Sequence, residues 1–119
     1  MAQHNELGKK GEQKAKEFLV EKGYQILETN YQYQKAEIDI IAQKEDILVI
    51  VEVKTRSTDY FGNPEDFINA QKIQLLVAAT NKYIEERGID VEVRFDIIAI
   101  LQKNGKLLIE HIEDAFLHF

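Results

Sequence analysis

The chain has 119 residues, 45% of them hydrophobic, and a formal net charge of −6 from 15 Lys and Arg against 21 Asp and Glu. That length predicts one domain over residues 1–119 with a real core and leaves no room for two. The absence of cysteine excludes disulfides, zinc ribbons and thiol catalysis. The scattered His4, His111 and His118 have no metal-ligand spacing, and no apolar run is long enough to span a membrane. The expectation is a cytoplasmic protein without a membrane partner. An acidic chain weighs mildly against a nucleic-acid partner, though nine of the 15 basic residues lie in the first 59.

Residues 5–23 predict a helix, because Leu7, Gly11, Ala15, Phe18 and Leu19 recur at spacings of three and four and Gly23 stops the pattern. Residues 25–33, "QILETNYQY", predict a strand. "AEIDIIA" (36–42) and "DILVIVEVK" (46–54) predict two more, joined by the polar turn "QKED". "STDYFGNP" (57–64) reads as a loop, and a second helix is expected over 65–87 before Gly88. "VEVRFDIIAIL" (91–101) and "LLIEHI" (107–112) complete the chain as strands on either side of a "QKNGK" turn. The order α-β-β-β-α-β-β gives an α/β class. An antiparallel hairpin followed by a helical crossover predicts a mixed central sheet flanked by helices.

The charges in "VIVEVKTR" (49–56) set the question, because a strand built for a core ends in a carboxylate and an ammonium. Period two puts Glu52 and Lys54 on one face, and in the preceding strand Glu37, Asp39 and Ile41 on one face with Ile38 and Ile40 on the other. A hairpin centred between Lys44 and Glu45 would set Asp39 opposite Ile50 and Glu37 opposite Glu52. Three carboxylates on one patch repel, so folding calls for a cation or for raised pKa values. Lys54 supplies one positive charge. A divalent ion would supply two, and oxygen donors without cysteine or clustered histidine point to Mg²⁺ or Mn²⁺. On this reading Glu52→Gln stabilises the metal-free protein. The plain alternative is a hairpin end facing water, with Glu52 and Lys54 as surface charges.

Both helices send polar groups toward the same patch. Glu12 sits on the line Gly8, Glu12, Ala15, Leu19, at the edge of the apolar stripe, and Lys72 lines up with Leu76, Ala79 and Tyr83. Alone, Glu12 reads as a solvated charge and Lys72 as a snorkelling one. Together with the acids they read as parts of one site. Asp96 follows Arg94 by two and reads as its strand-face partner, outside the catalytic set. Tyr60 and Phe61 read either as base-stacking groups or as loop packing. The tail with Phe116, Leu117 and Phe119 reads either as a packing segment or as a homodimer contact.

An acid followed 13 positions later by "E-V-K", with a glutamate on the preceding helix, resembles the PD-(D/E)XK motif of restriction-endonuclease-like nucleases. The blocks "GKKGEQKAKEFL", "GYQILETNY", "AEIDIIA", "VEVKTR", "FGNPED", "QKIQLL" and "RFDIIAI" resemble, over nearly the whole chain, the YraN-like family. That family consists of predicted nucleases related in fold to archaeal Holliday-junction resolvases. Two departures stand out: Ala36 replaces the family's usual glycine, and Ile38 precedes Asp39 where the motif's name has proline. Neither removes a ligand.

The resemblance implies a restriction-endonuclease-like core, αβββαβ with an added C-terminal strand, and Mg²⁺- or Mn²⁺-dependent endonuclease action on DNA, branched or structured DNA included. It implies Asp39, Glu52 and the Val53 carbonyl as metal ligands. Lys54 would orient the attacking water and neutralise the phosphate, and Glu12 would assist through a water or a second metal. Glu37 is implied as an accessory acid and Lys72 as a group near the phosphate. Arg56 contacts a phosphate or pairs with Asp59. Two rivals stand beside this reading: a non-cleaving nucleic-acid-binding module on the same fold, and an interaction domain that offers its acidic surface to basic partners.

Overall fold

The computed structural model describes residues 2–56 and 69–115, with side chains from residue 6 onward. The loop expected at 57–64 with Tyr60 and Phe61, the pairing of Arg56 with Asp59, and the aromatic tail lie outside the described residues. The elements are α1 (Ala2–Glu21), β1 (Gln25–Tyr33), β2 (Ala36–Lys44), β3 (Ile47–Arg56), α2 (Ala70–Arg87), β4 (Glu92–Lys103) and β5 (Lys106–Ile112). The strands form one mixed sheet in the order β1-β2-β3-β4-β5. Only β3 and β4 are parallel, as the helical crossover through α2 requires. No helix among the described residues is long and apolar enough to cross a membrane.

Each face of the sheet carries one helix. Leu48, Ile50, Phe95 and Ile97 pack with Ile73, Leu76, Ala79 and Tyr83 of α2. Val49, Val51, Ile98 and Ile100 pack with Ala15 and Leu19 of α1. A central strand buried on both sides reads as the near-continuous apolar run 47–51. On α1 the glycine at 11 matters: a Cβ there would overlap the Thr55 hydroxyl. The close approach seats the helix on the end of β3 and delivers the next residue, Glu12, to the sheet.

Three expectations change. The second helix starts at Ala70, because Asn69 is extended and its side chain caps the helix by accepting from Lys72 N at 2.8 Å, and positions 65–68 of the expected helix lie outside the described residues. The β2–β3 hairpin turns at Glu45 and Asp46, with Glu45 at φ 56, so Ile41 faces Ile50 and Ile40 faces Val51. The pairings of Asp39 with Ile50 and of Glu37 with Glu52 are therefore wrong by two residues, and the expected shared face of Glu37 and Glu52 is wrong as well, because Glu37 meets Asn30 beside Glu12 of α1 whereas Glu52 meets Lys72 of α2.

The third change is in β2, where strict alternation fails. Ala36, Ile38 and Ile41 face α2, whereas Ile40 and Ala42 face α1. Both β1 and β2 carry one extra residue at the same level. Tyr31 pairs with Ile38 and Thr29 with Ile40, which leaves Asn30 opposite Asp39. Asn30 takes φ 51, a left-handed conformation that asparagine tolerates better than most residues. The register survives while the two faces exchange, and Asp39 sits at the switch.

Candidate functional site

The β2–β3 ladder pairs residues as far as Ile40 and Val51. The next step is made by a side chain: Val53 N donates to Asp39 Oδ2 at 2.8 Å. The strands part here, and the carboxylate of Asp39 fills the opening. No hydrogen bond among the described residues reaches its Oδ1. Burial pushes the Asp39 pKa up, the charges of Glu52 and Glu12 push it further, and the Val53 N–H and Lys72 only partly offset them; it stands at about 7. Asp39 is thus a desolvated carboxyl lacking a cation of its own.

Glu52 lies beside it with a different balance. It follows Leu48 and Ile50 on the α2 side of β3 and is 4% exposed. Lys72 Nζ approaches its Oε2 at 2.6 Å and Lys54 Nζ at 3.5 Å. Asn69 caps α2 and so fixes the first turn that carries Lys72. Burial alone would lower the Lys72 pKa, but the Glu52 hydrogen bond and the charges of Glu52 and Asp39 hold it above its ordinary value. Glu52 is therefore an ion-paired buried carboxylate. The expectation that Glu52→Gln stabilises the metal-free protein is corrected accordingly, because the substitution would strip two ammonium groups of their partner.

Glu12 and Glu37 approach from the α1 side. The Asn30 amide donates to Glu12 Oε1 and to Glu37 Oε2, each at 3.3 Å. Asn30 escaped the sequence reading. The only signal it left was an asparagine interrupting a strand pattern, at a level where its αL backbone aims the amide between two acids. A cleft of about 200 Å³, lined by Leu7, Gly8, Glu12, Val53, Lys54, Thr55 and Arg56, opens beside these groups. Arg56 is exposed at its rim and Nη1 donates to the Thr55 carbonyl at 3.1 Å.

Glu12, Asp39, Glu52, Lys54 and Lys72 thus gather at one end of the sheet, joined by Asn30. No group of three or more Asp, Glu, His or Cys side chains is placed to hold a metal ion among the described residues. The donor set nonetheless fits a hard divalent ion. Asp39 has an oxygen to spare and a raised pKa that a cation would relieve, and Glu52 is adjacent with only oxygen donors to offer.

The two other sequence-level readings of note concern Asp96 and the histidines. Asp96 does pair with Arg94, at 2.9 Å through both oxygens. It also accepts from His111 Nε2 at 2.7 Å and from Asp114 N at 3.0 Å, an arrangement on the α1 side of β4 and β5 that is remote in sequence from the site.

A family model described as "Uncharacterised protein family UPF0102" matches residues 11–100. A UPF0102 protein of Flavobacterium psychrophilum is 62% identical over 119 residues, and one of Christiangramia forsetii is 60% identical over 119 residues, each alignment covering the whole of both chains. A UPF0102 protein of Parabacteroides distasonis is 48% identical over 116 residues, covering 98% of this chain and 96% of its own. The chain belongs to the UPF0102 family, the YraN-like proteins.

Proposed function

We propose that this protein is a metal-dependent endonuclease on a restriction-endonuclease-like core, hydrolysing phosphodiester bonds in DNA. The observation that carries the proposal is Asp39: a strand carboxylate held by Val53 N at the point where two strands part, with Glu52 beside it and Lys54 two residues further along β3. A half-buried, incompletely compensated carboxyl beside a cleft is a costly feature that function explains better than folding does.

Asp39, Glu52 and the carbonyl of Val53 would hold Mg²⁺ or Mn²⁺, which would supply Lewis acidity toward the phosphate and lower the pKa of water. Lys54, 21% exposed at the side chain, can turn its ammonium from Glu52 to an incoming phosphate and stabilise the charge that develops there. Lys72 holds Glu52 in place through their 2.6 Å pair. Asn30 restrains Glu12 and Glu37, so that Glu12 faces the cleft as a base or water-holding group. Arg56 stands at the rim, where a guanidinium can meet a neighbouring phosphate.

One observation favours a second reading. The 2.6 Å pair between Lys72 and Glu52 neutralises one of the two strand carboxylates, Asp39 and Glu52, without metal, as a non-cleaving DNA-binding module would require. The separating experiment is a cleavage panel in Mg²⁺ and Mn²⁺ over single-stranded, duplex, flapped and four-way DNA, with wild type and Asp39→Asn. Wild-type cleavage lost in the variant supports the nuclease. Binding without cleavage on every substrate supports the module.

A further inference from the structure

An acidic protein that acts on a polyanion needs a local positive track, and one cleft outside the site has that character. It has a volume of about 690 Å³ and lies between α1 and the β4–β5 hairpin. Lys10, Lys14 and Lys106 line it with Gln13 and Gln102, and Leu107 and Ile109 contribute apolar floor. No acidic side chain among the described residues lines it, although acids outnumber bases by 21 to 15 in the chain. Lys14 has a glutamate within reach, Glu17 at 3.7 Å, but both side chains are 53% exposed, so solvent screens the pair.

Strand order fixes where this cleft opens. Arg56 pairs with Leu101, Leu101 with Leu108, and Gln102 with Leu107. The β3 end that carries Lys54 and Arg56 is therefore two strands from the β5 end that carries Lys106, about 10 Å at the usual strand spacing. On α1, Lys10 and Lys14 form one line at a spacing of four, and Gly8 and Glu12 form another on the opposite flank. The site and the lysine cleft flank the same helix at the same end of the sheet.

We infer that the cleft between α1 and the β4–β5 hairpin is a phosphate-backbone track for DNA, in which Lys10, Lys14 and Lys106 hold the strand that is presented to the Asp39–Glu52 site. The inference rests on the nucleic-acid reading of that site and adds where the polymer lies. Ammonium groups on flexible stems suit a contact that positions DNA without reading its sequence. The glutamines donate to phosphate or sugar without adding negative charge. The apolar floor accommodates the sugar edge.

The test is fluorescence anisotropy of a labelled DNA duplex and a labelled single strand in EDTA, across a salt series, with wild type, the triple variant Lys10→Gln/Lys14→Gln/Lys106→Gln, and Lys82→Gln as control. Lys82 lies on α2, paired with Glu85 at 3.5 Å, away from the cleft. Each lost phosphate contact flattens the dependence of log affinity on log salt by about 1. The expected result is at least tenfold weaker binding by the triple variant with a slope shallower by about 3 on the duplex and about 2 on the single strand, while Lys82→Gln matches wild type. Mn²⁺ binding, read by calorimetry, stays unchanged in all three. Wild-type affinity and slope in the triple variant would overturn the track and leave the nuclease reading standing. Weakened binding combined with no cleavage by wild type would uphold the track and sink the nuclease. Absence of salt-dependent DNA binding by wild type, with a poly-glutamate peptide bound in its place, would overturn both.

Discussion

Two aspartates on one sheet meet opposite surroundings. Asp96 is fully buried, yet it accepts from Arg94 Nε and Nη2, from His111 Nε2 and from Asp114 N. Burial pushes its pKa up, but the His111, Arg94 and Asp114 hydrogen bonds outweigh it and hold Asp96 below its ordinary value. Arg94 passes a further hydrogen bond to the Tyr24 hydroxyl at 2.6 Å, and Phe18 and Tyr24 set their rings edge-on to His111. Asp39 has one backbone donor, two acidic neighbours and a pKa of about 7. Burial alone does not mark a functional carboxylate. An incomplete set of partners does.

The largest effect expected from breaking this contrast is at Asp96. Asp96→Ala removes the acceptor of the buried His111 and the main one of Arg94, and should cost on the order of 3–5 kcal/mol. Thermal melting should fall by more than about 10 °C, with the Mn²⁺ affinity of the remaining folded protein unchanged. A variant that melts like wild type would show that the cluster is not structural.

Next is Lys54→Ala. Loss of one transition-state contact typically costs about 10²–10³ in rate, read as single-turnover cleavage at saturating Mn²⁺. Metal binding should persist or tighten, since a neighbouring positive charge is gone. Lys54→Arg should rescue only in part, because a planar fork does not replace a point charge in a tight site. A wild-type rate from Lys54→Ala would reduce the lysine to a surface charge.

Asp39→Asn should behave opposite to Asp96→Ala. It keeps an oxygen to accept from Val53 N and removes a repelled charge, so at pH 8 the metal-free melting temperature should hold or rise, by at most about 1–2 kcal/mol in stability. The rise in melting temperature that Mn²⁺ gives wild type should vanish.

The contrast also shows in pH. Asp39 has a folded-state pKa raised from 3.8 to about 7, so its contribution to metal-free stability is complete below about pH 4 and is lost as pH rises through about 7. Asp96 has a lowered pKa, so its contribution is present above the ordinary carboxylate value and is lost on acidification below it. Melting of the metal-free protein from pH 4 to 8 should decline in wild type and flatten in Asp39→Asn. Parallel profiles would remove Asp39 from the account.

Much of this was legible in the sequence. The element order and the shared face of Glu52 and Lys54 follow from periodicity. Asp96 pairing with Arg94 followed from a spacing of two. What escaped lies where period two breaks. The extra residue at Asn30 and Asp39 keeps the register and swaps the faces, and no composition signal announces a matched insertion in two strands. The histidines looked dispersed, but the antiparallel β4–β5 register sets His111 opposite Ile98, within reach of Asp96. The partner of Glu52 was half legible: Lys72 was placed on the line facing the sheet, but its 2.6 Å pair depends on the exact start of α2, which Asn69 decides.

The central claim is that Asp39 is the incomplete carboxylate that a cation completes. Calorimetric titration with Mn²⁺ at pH 8 and pH 5.5, on wild type and Asp39→Asn, tests it most directly. Binding by wild type at pH 8, weakened at pH 5.5 as Asp39 takes up its proton and absent from the variant at both, is the result predicted. Equal binding by wild type and variant, or no binding by wild type at pH 8, would contradict it.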